Sequence, residues 1–287
     1  MSEYQHYEFV ALDRPLSQAE QAEVRSLSSR AEITATAFTG TYEDGDFRGD
    51  PAWMMERFYD AHVHLTGSGI DRLMLRLPTS LLDASTVDPY LCADKVEAWE
   101  AKDHLVLDLF DDEEPGDAGP APEEVLPALV GVRAELASGD LRPLYLAWLA
   151  AIGTWERDED AFDEDFEDEA EPPVPAGLGS LTAAQRALAG FLRLDADLLA
   201  TAAANSPDRP TVSTDPERLA RWVAELGEQE RDALLVRVAQ GEAGQVHLEL
   251  LRRFRTETGA GAEAGGTGDA APRTVAELLD AAAARRQ

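Results

Sequence analysis

The stretch YQHYEFVALDRPLSQAE, residues 4–20, sets the beginning of the fold. Its first nine residues have the aromatic and apolar content of a strand, and Pro15 then ends that pattern. Ser17 and Glu20 follow at the spacing of a capping box, in which each side chain satisfies a free backbone amide at a helix start. The stretch therefore predicts a strand followed by a helix that runs to about Ser28.

Outward from this stretch, the residues up to 110 alternate between strand and helix patterns. Residues 33–41 are rich in β-branched side chains and predict a strand, and 72–77, 96–99 and 104–110 predict three more. Between them, Asp50 and Pro51 predict the start of a helix with apolar positions at Met54, Phe58, Ala61 and Leu65. The fold class is therefore α+β, with a βαβαβ(ββ) order that is compatible with a ferredoxin-like sheet and equally with other strand orders.

Negative charge is concentrated in the middle of the chain. The sequence has 25 basic and 56 acidic residues and a formal net charge of -31, and residues 111–177 hold 20 of the acidic residues against 3 basic ones. In residues 158–171, 10 of 14 positions are acidic, a density that repels itself and buries too little apolar surface to offset ordering. Together with PPVP at 172–175, this predicts acidic linkers at 111–124 and 158–177.

Helical patterns fill the rest of the chain after the α+β domain of residues 1–110. Residues 125–157 predict a helical hairpin, and 178–258 predict a helical domain with apolar residues at helical spacing. A flexible Gly- and Ala-rich linker is predicted at 259–273, and a terminal helix with little to bury against at 274–287.

The segment DAHVHL, residues 60–65, is similar to the DxHxH motif of the amidohydrolase family, in which two strand histidines bind a divalent metal that activates water. That geometry needs a strand, where residues i and i+2 share a face. On the helix predicted here, His62 and His64 point apart. We therefore predict no catalytic residue, no metal ligand and no cofactor, and we keep a metal-dependent hydrolase as an alternative.

Two phenylalanines interrupt the acidic run, which suggests an extended segment with aromatic anchors that folds as it docks on a basic, apolar groove of a partner. The candidate interaction residues are Asp158, Glu159, Asp160, Phe162, Asp163, Glu164, Asp165, Phe166, Glu167, Asp168 and Glu169.

Composition also limits the classes of binding partner and the cellular compartment that we expect. Cys92 is the single cysteine, which excludes an intramolecular disulfide and predicts a buried structural thiol. One cysteine suits a reducing cytosol and also fits a cysteine-poor exported protein. Strong acidity repels phosphate backbones and anionic lipid, so we expect no direct nucleic acid partner and no membrane. The opening MSEYQHYEFV lacks the features of a signal peptide, so we expect a cytoplasmic protein.

Four segments together resemble a family of bacterial proteins, found in actinobacteria among others, with the opening YxxYEFxAxDRPL. They are YQHYEFVALDRPLSQAEQAEVRSLSSRAEITATAF (4–38), GDPAWMMERFYDAH (49–62), RLMLRLP (72–78) and GDLRPLYLAWL (139–149). The resemblance implies a bacterial cytoplasmic protein, and it brings no activity or site residues with it.

These observations favour a non-enzymatic interaction or scaffold protein that engages a basic protein partner. Besides the metal-dependent hydrolase, the alternative is a DNA-mimic protein, which needs carboxylates held on a rigid surface at phosphate-like spacing. The sequence leaves the partner's identity, the strand order and the oligomeric state open.

Overall fold

A computed structural model of the chain describes residues 4–43, 47–92, 95–112, 121–155, 169–208, 216–239 and 273–286, and positions 246, 249–251, 253, 254 and 257. Its first part is a seven-stranded sheet in which every neighbouring pair is antiparallel. The strands are β1 (Gln5–Val10), β2 (Glu32–Ile33), β3 (Ala37–Tyr42), β4 (Ala61–Thr66), β5 (Asp71–Pro78), β6 (Val96–Ala101) and β7 (His104–Asp111), in the order β2-β3-β1-β4-β5-β7-β6.

Helices separate some of the strands and then dominate the later chain. Those within the sheet region are α1 (Gln18–Arg25), α2 (Pro51–Arg57) and the single turn α3 (Ala84–Val87). Those after it are α4 (Pro122–Ala137), α5 (Arg142–Trp155), α6 (Ala183–Phe191), α7 (Ala196–Ala204), α8 (Pro216–Glu225), α9 (Glu228–Arg237) and α10 (Val275–Arg286). Strands first and helices afterwards confirm the α+β class.

The strand order is not that of a ferredoxin-like sheet. A ferredoxin-like fold separates the two strands joined by its first helix with a third strand. Here α1 connects β1 to the β2–β3 region, and β1 pairs directly with β3, with Phe9 opposite Phe38. The sheet therefore adopts one of the other orders that the sequence leaves open.

Both predicted helix starts in this region are confirmed. The Ser17 side chain accepts a hydrogen bond from the backbone N–H of Glu20, and the Glu20 carboxylate accepts one from the backbone N–H of Ser17. Asp50 caps α2 by accepting from the N–H groups of Ala52 and Trp53. These local signals are reliable because each satisfies amides that have no partner inside the helix.

The helix predicted to reach Leu65 ends much earlier, and that prediction is wrong. Helix α2 stops at Arg57, and Ala61–Thr66 is strand β4, paired with β1 on one side and β5 on the other. The turn between them is fixed by Asp60, which is buried and accepts from the backbone N–H groups of Leu12 at 2.7 Å and Asp13 at 2.9 Å. This long-range contact outweighs the helical spacing of Ala61 and Leu65.

A hydrophobic core lies on each face of the sheet. The core on the α1–α2 side contains Phe9, Phe38 and Met74, all fully buried. The other core begins with Val63 and Leu75 on the opposite sheet face. It continues through α4, α5, α6, α7 and α10, so sheet and helices share one apolar interior. Cys92 belongs to this second core, which confirms the predicted buried thiol.

The terminal helix is packed, contrary to the expectation that it has little to bury against. Val275, Leu278, Leu279 and Ala282 of α10 are buried in the core, where the helix contacts α7. Just before it, Arg273 makes a bidentate ion pair with Glu171 at 2.8 and 2.9 Å. Single-helix amphipathicity is weak in this alanine-rich segment, so its partner could not be inferred locally.

The predicted linker at 158–177 has a described end, residues 169–177, that packs on the helices. The carbonyl of Pro173 accepts from the Tyr90 hydroxyl at 2.9 Å, and that of Pro175 accepts from the Ser206 hydroxyl at 2.7 Å. The division of the chain into domains and linkers stays a prediction.

A buried network of two aspartates and two arginines joins the layers. Asp60 accepts from Arg76 on β5 at 2.7 Å, and its side chain is 1% exposed. Arg133 on α4 donates to the backbone carbonyl of Arg76 at 2.6 Å and to the carboxylate of Asp13 at 2.7 Å. The network therefore ties the β1–α1 connection, the α2–β4 turn, β5 and α4 together.

The network keeps Asp60 ionised despite its burial. Burial by itself raises the pKa of Asp60, but the positive charges of Arg133 and Arg76 and the N–H of Asp13 outweigh it. The pKa of Asp60 consequently lies below its ordinary value. Each charge in the network has an opposite charge and hydrogen bonds, which is the condition for tolerating charges in a dry site.

Replacing Asp60 by Asn is expected to reduce the free energy of unfolding by about 3–5 kcal/mol, because Arg76 stays buried without its carboxylate partner, whereas Arg133 keeps Asp13. Urea unfolding at neutral pH measures the loss. Glu100→Gln, at an exposed position of β6, is the matched control and should change stability by less than about 0.5 kcal/mol. Equal stability losses in the two variants would contradict the role assigned to Asp60.

Candidate functional site

Strand β4 places His62 and His64 on one face of the sheet, so the helical argument that separated them is wrong. His62 lies opposite Phe9 of β1, and their ring centroids are 3.8 Å apart and nearly parallel. His64 lies opposite Tyr7 and stacks on it at 4.2 Å. The two histidines therefore form a ring stack with β1 on the α1–α2 side of the sheet.

His62 is neutral under ordinary conditions. Its Nδ1–H donates to the backbone carbonyl of Glu8 at 2.9 Å, which leaves Nε2 without a proton. Burial lowers the pKa of His62 to about 3, the Glu8 hydrogen bond opposes this, and His64, Arg72 and His6 lower it further. In the described part of the chain, the buried Nε2 atom has no hydrogen-bond partner.

A metal set would need a further ligand beside these histidines. Among the residues that the structure describes, no group of three or more His, Cys, Asp or Glu side chains has the geometry to hold a metal ion. His6 lies on the opposite sheet face, where its Nδ1 is 3.1 Å from the Thr41 hydroxyl. The hydrolase alternative stays a prediction, and the described contacts give His62 and His64 a packing role.

A groove of about 760 Å³ lies at one end of the sheet, beside the β6–β7 turn. Its lining is strongly charged but internally neutralised. Within it, Arg14 pairs with Glu20, Arg57 with Glu23, and Arg237 with Glu249. Arg76 also lines the groove, and it pairs with the buried Asp60, which does not. Each arginine of the groove is thus already paired with a carboxylate of the same chain.

One histidine lies at the rim of this groove. His104 Nδ1 is 2.8 Å from a carboxylate oxygen of Asp103, and this hydrogen bond lowers the pKa of Asp103 below its ordinary value. The Asp103 side chain is 84% exposed, which provides none of the desolvation that activates a catalytic dyad. Among the described residues that line the groove, His104 and Asp103 thus do not form a catalytic dyad.

Pairing of basic side chains extends well beyond the groove. Arg142 pairs with Asp140 at 2.6 Å while 1% exposed, and Arg193 donates to both Asp71 and Asp111. Many exposed acidic residues, in contrast, form no ion pair with a basic residue of the described chain. They include Glu32, Glu97, Glu100, Glu124, Glu228, Asp232 and Asp280. The excess negative charge therefore faces solvent.

Most of the interaction residues predicted from sequence lie outside the described residues. These are Asp158, Glu159, Asp160, Phe162, Asp163, Glu164, Asp165, Phe166, Glu167 and Asp168. Glu169 is described and exposed, and its backbone carbonyl accepts from the N–H of Val275 at 2.9 Å. Two residues later, Glu171 binds Arg273 and accepts from the Tyr145 hydroxyl. The end of the acidic run is therefore attached to the start of α10.

Comparison of the chain with protein family models, with curated proteins and with solved structures gives no match. The resemblance to a bacterial family therefore stays a prediction, and the functional argument depends on geometry and charge alone.

Two features of the structure were missed by sequence reasoning. The sequence pattern assigns Asp60 only to the DAHVHL motif, although its main contacts are with the distant Arg76 and the amides of Leu12 and Asp13. Strand β6 was predicted, but nothing local indicates that it is the outermost strand. An aspartate that follows two aromatic residues, as Asp60 follows Phe58 and Tyr59, is only a weak indication that its carboxylate is buried. The position of β6 at the edge of the sheet is not indicated by any local sequence pattern.

Acidification should destabilise the protein through His62. The folded pKa of about 3 lies below the ordinary value of 6.5, so between these values the unfolded chain binds a proton that the folded chain does not. This contribution to stability is complete above pH 6.5 and declines by up to about 1.4 kcal/mol per pH unit as the pH falls toward 3. Urea unfolding from pH 7 to pH 4.5 measures the slope.

His62→Phe keeps a ring against Phe9 and removes the titrating group, so its stability should depend less on pH than that of the unchanged protein. Phe9→Leu disturbs the same stack but keeps the imidazole, and serves as the control. An unchanged slope in His62→Phe would show that this histidine does not titrate as its burial implies.

Proposed function

We propose that the protein is a non-enzymatic interaction or scaffold protein that engages a basic protein partner through its acidic surface. One observation carries the proposal. Among the described residues, arginines such as Arg76, Arg142 and Arg273 pair with carboxylates inside the fold, whereas exposed carboxylates such as Glu100 and Asp232 form no ion pair there.

The electrostatics of this arrangement favour cationic partners. A formal net charge of -31 on 287 residues creates a negative potential that raises the association rate of basic proteins and repels phosphate backbones. Structural arginines cannot screen that potential at the surface, because their charges are used within the fold. We place the protein in the bacterial cytoplasm, without direct nucleic acid contact, as part of the same proposal.

The length and composition of the helices bear on whether one of them can cross a membrane. Among the helices of the described residues, none combines the length and the apolar composition that a bilayer crossing requires.

We propose that the acidic run is the main contact with the basic partner. Because Glu169 and Glu171 contact the start of α10, a deletion that tests the run should leave Glu169 and Glu171 in place. Deleting residues 158–168 removes the predicted anchors Phe162 and Phe166 with most of the acidic side chains. It leaves the contacts of Glu171 with Arg273 and Tyr145 in place. A loss of binding can then be assigned to the run and not to release of α10.

Replacing residues 158–168 by a Gly/Ser segment of equal length is expected to abolish or strongly weaken binding to a basic partner. The measurement is a pulldown from the native host together with titration of a ten-lysine peptide, from about 50 mM to about 500 mM salt. Binding by the unchanged chain should fall steeply as salt increases.

A second variant separates charge from aromatic anchoring. Changing the nine acidic residues of 158–169 to their amides retains Phe162 and Phe166 and should also weaken binding. Changing only the two phenylalanines should reduce affinity while preserving the salt dependence. Association that is insensitive to salt and survives the replacement would overturn the proposal.

A further inference from the structure

Among the residues that the structure describes, strand β6 has a neighbouring strand on one side only. It is the last strand of the described sheet and pairs there with β7. On its outer side, the N–H and C=O of Val96 bond to Cys92 at 2.9 and 3.1 Å. Alternate residues of an antiparallel strand direct their backbone groups to the same side, so those of Ala98 and Glu100 also point outward. No described residue forms a hydrogen bond with them.

The side chains along this edge are acidic and accessible. Glu97 lies opposite Asp108 and Glu100 lies opposite Leu105, which places the two glutamates on opposite faces of the sheet. Both are exposed. Between them, Ala98 and Trp99 are half-buried, and the Trp99 indole N–H donates to Glu56 at 2.9 Å. The edge therefore offers backbone groups, two carboxylates and a small apolar centre.

We propose that the outer edge of β6 binds an extended basic segment of a partner protein, which adds to the sheet as a further strand. This inference builds on the proposed function and specifies a surface for it. Main-chain hydrogen bonds to Ala98 and Glu100 supply general affinity, and the flanking carboxylates supply selectivity.

The spacing of the edge residues specifies the pattern of the segment. Residues of an added strand lie directly opposite those of β6, so basic side chains opposite Glu97 and Glu100 are three positions apart. The two residues between them face Ala98 and Trp99 and should be apolar. The expected segment therefore reads basic, apolar, apolar, basic.

Charge argues against a second copy of the chain at this edge. Pairing β6 with β6 would bring Glu97 and Glu100 of two strongly acidic molecules together, and like charges on an edge are a common protection against such pairing. The opposite edge is a poorer acceptor, because β2 has two residues and one exposed carboxylate, Glu32.

The test uses the full chain and the acetylated, amidated peptide Thr-Lys-Val-Val-Lys-Thr. Its control is Thr-Val-Lys-Lys-Val-Thr, which has the same composition and the wrong spacing. Nuclear magnetic resonance titration should show tighter binding of the first peptide and slower amide exchange at Ala98 and Glu100. Equal affinities, or binding without protection of these amides, would overturn the inference.

Two pairs of variants isolate the backbone and the charges. Ala98→Pro removes the outward N–H without touching the β6–β7 ladder and should weaken binding about tenfold or more, whereas Ala98→Ser should bind normally. Glu97→Gln with Glu100→Gln should weaken binding more than Glu228→Gln with Asp232→Asn on α9, which removes equal charge elsewhere. Circular dichroism checks that each variant is folded.

The outcomes separate this inference from the proposed function. If the chain binds the ten-lysine peptide but the β6 variants bind normally, the edge is not the site and the proposed function stands. If neither peptide nor any basic protein binds, the proposed function fails. Protection of Ala98 and Glu100 in the free protein, whether it depends on protein concentration or not, shows that this chain already covers the edge and overturns the inference.

Discussion

The charge network around Asp60 is the constraint on which the layered fold depends. A buried carboxylate is costly unless opposite charges and hydrogen-bond donors surround it, and Asp60 has Arg76, the more distant Arg133 and two backbone amides. The groups come from the sheet and from a helix of the later chain, because Arg76 lies on β5 and Arg133 on α4. A shift of either layer would leave a charge unpaired in a dry site. The network therefore fixes the register between sheet and helices more strictly than apolar packing alone.

The same logic extends to the distribution of charge in the whole molecule. Buried arginines such as Arg142 hold loop carbonyls of Gly177 and Ser180 and a carboxylate together at helix junctions. Because arginine keeps its charge when buried and offers several donors in one plane, it suits these positions. A chain with 25 basic and 56 acidic residues that uses its arginines in this way must present a negative surface. The pairing of arginines inside the fold thus contributes both to the internal architecture and to the negative surface potential.

Sequence reasoning recovered the parts of the fold that have local causes. The capping box of α1 and the Asp50 cap of α2 depend on residues within one turn, and both were predicted. Strand β4 was missed because Met54, Phe58, Ala61 and Leu65 continue a helical period by chance, while the contact that ends the helix comes from residues 12 and 13. Strand order, the packing of α10 and the edge position of β6 depend on distant partners. The charge imbalance was visible in the sequence, whereas the pairing of its arginines was not.

Described residues that flank the acidic segments lie close to β6. Asp112, at the start of the segment 113–120, pairs with Lys95 immediately before β6. After the acidic run, Pro173 contacts Tyr90, which precedes β6 by a few residues, and α5, which leads into the run, packs on β6. In the proposed complex, the acidic run is tethered through these flanking residues and adds its carboxylates to the attraction, which strengthens binding without a new interface. In the same proposal, the diffuse attraction of the acidic run brings a partner to the edge of β6, where the backbone groups select an extended conformation. In this proposal the acidic run supplies the attraction and the β6 edge supplies the selectivity. The two can act on one partner because Glu171, at the end of the run, is held by Arg273.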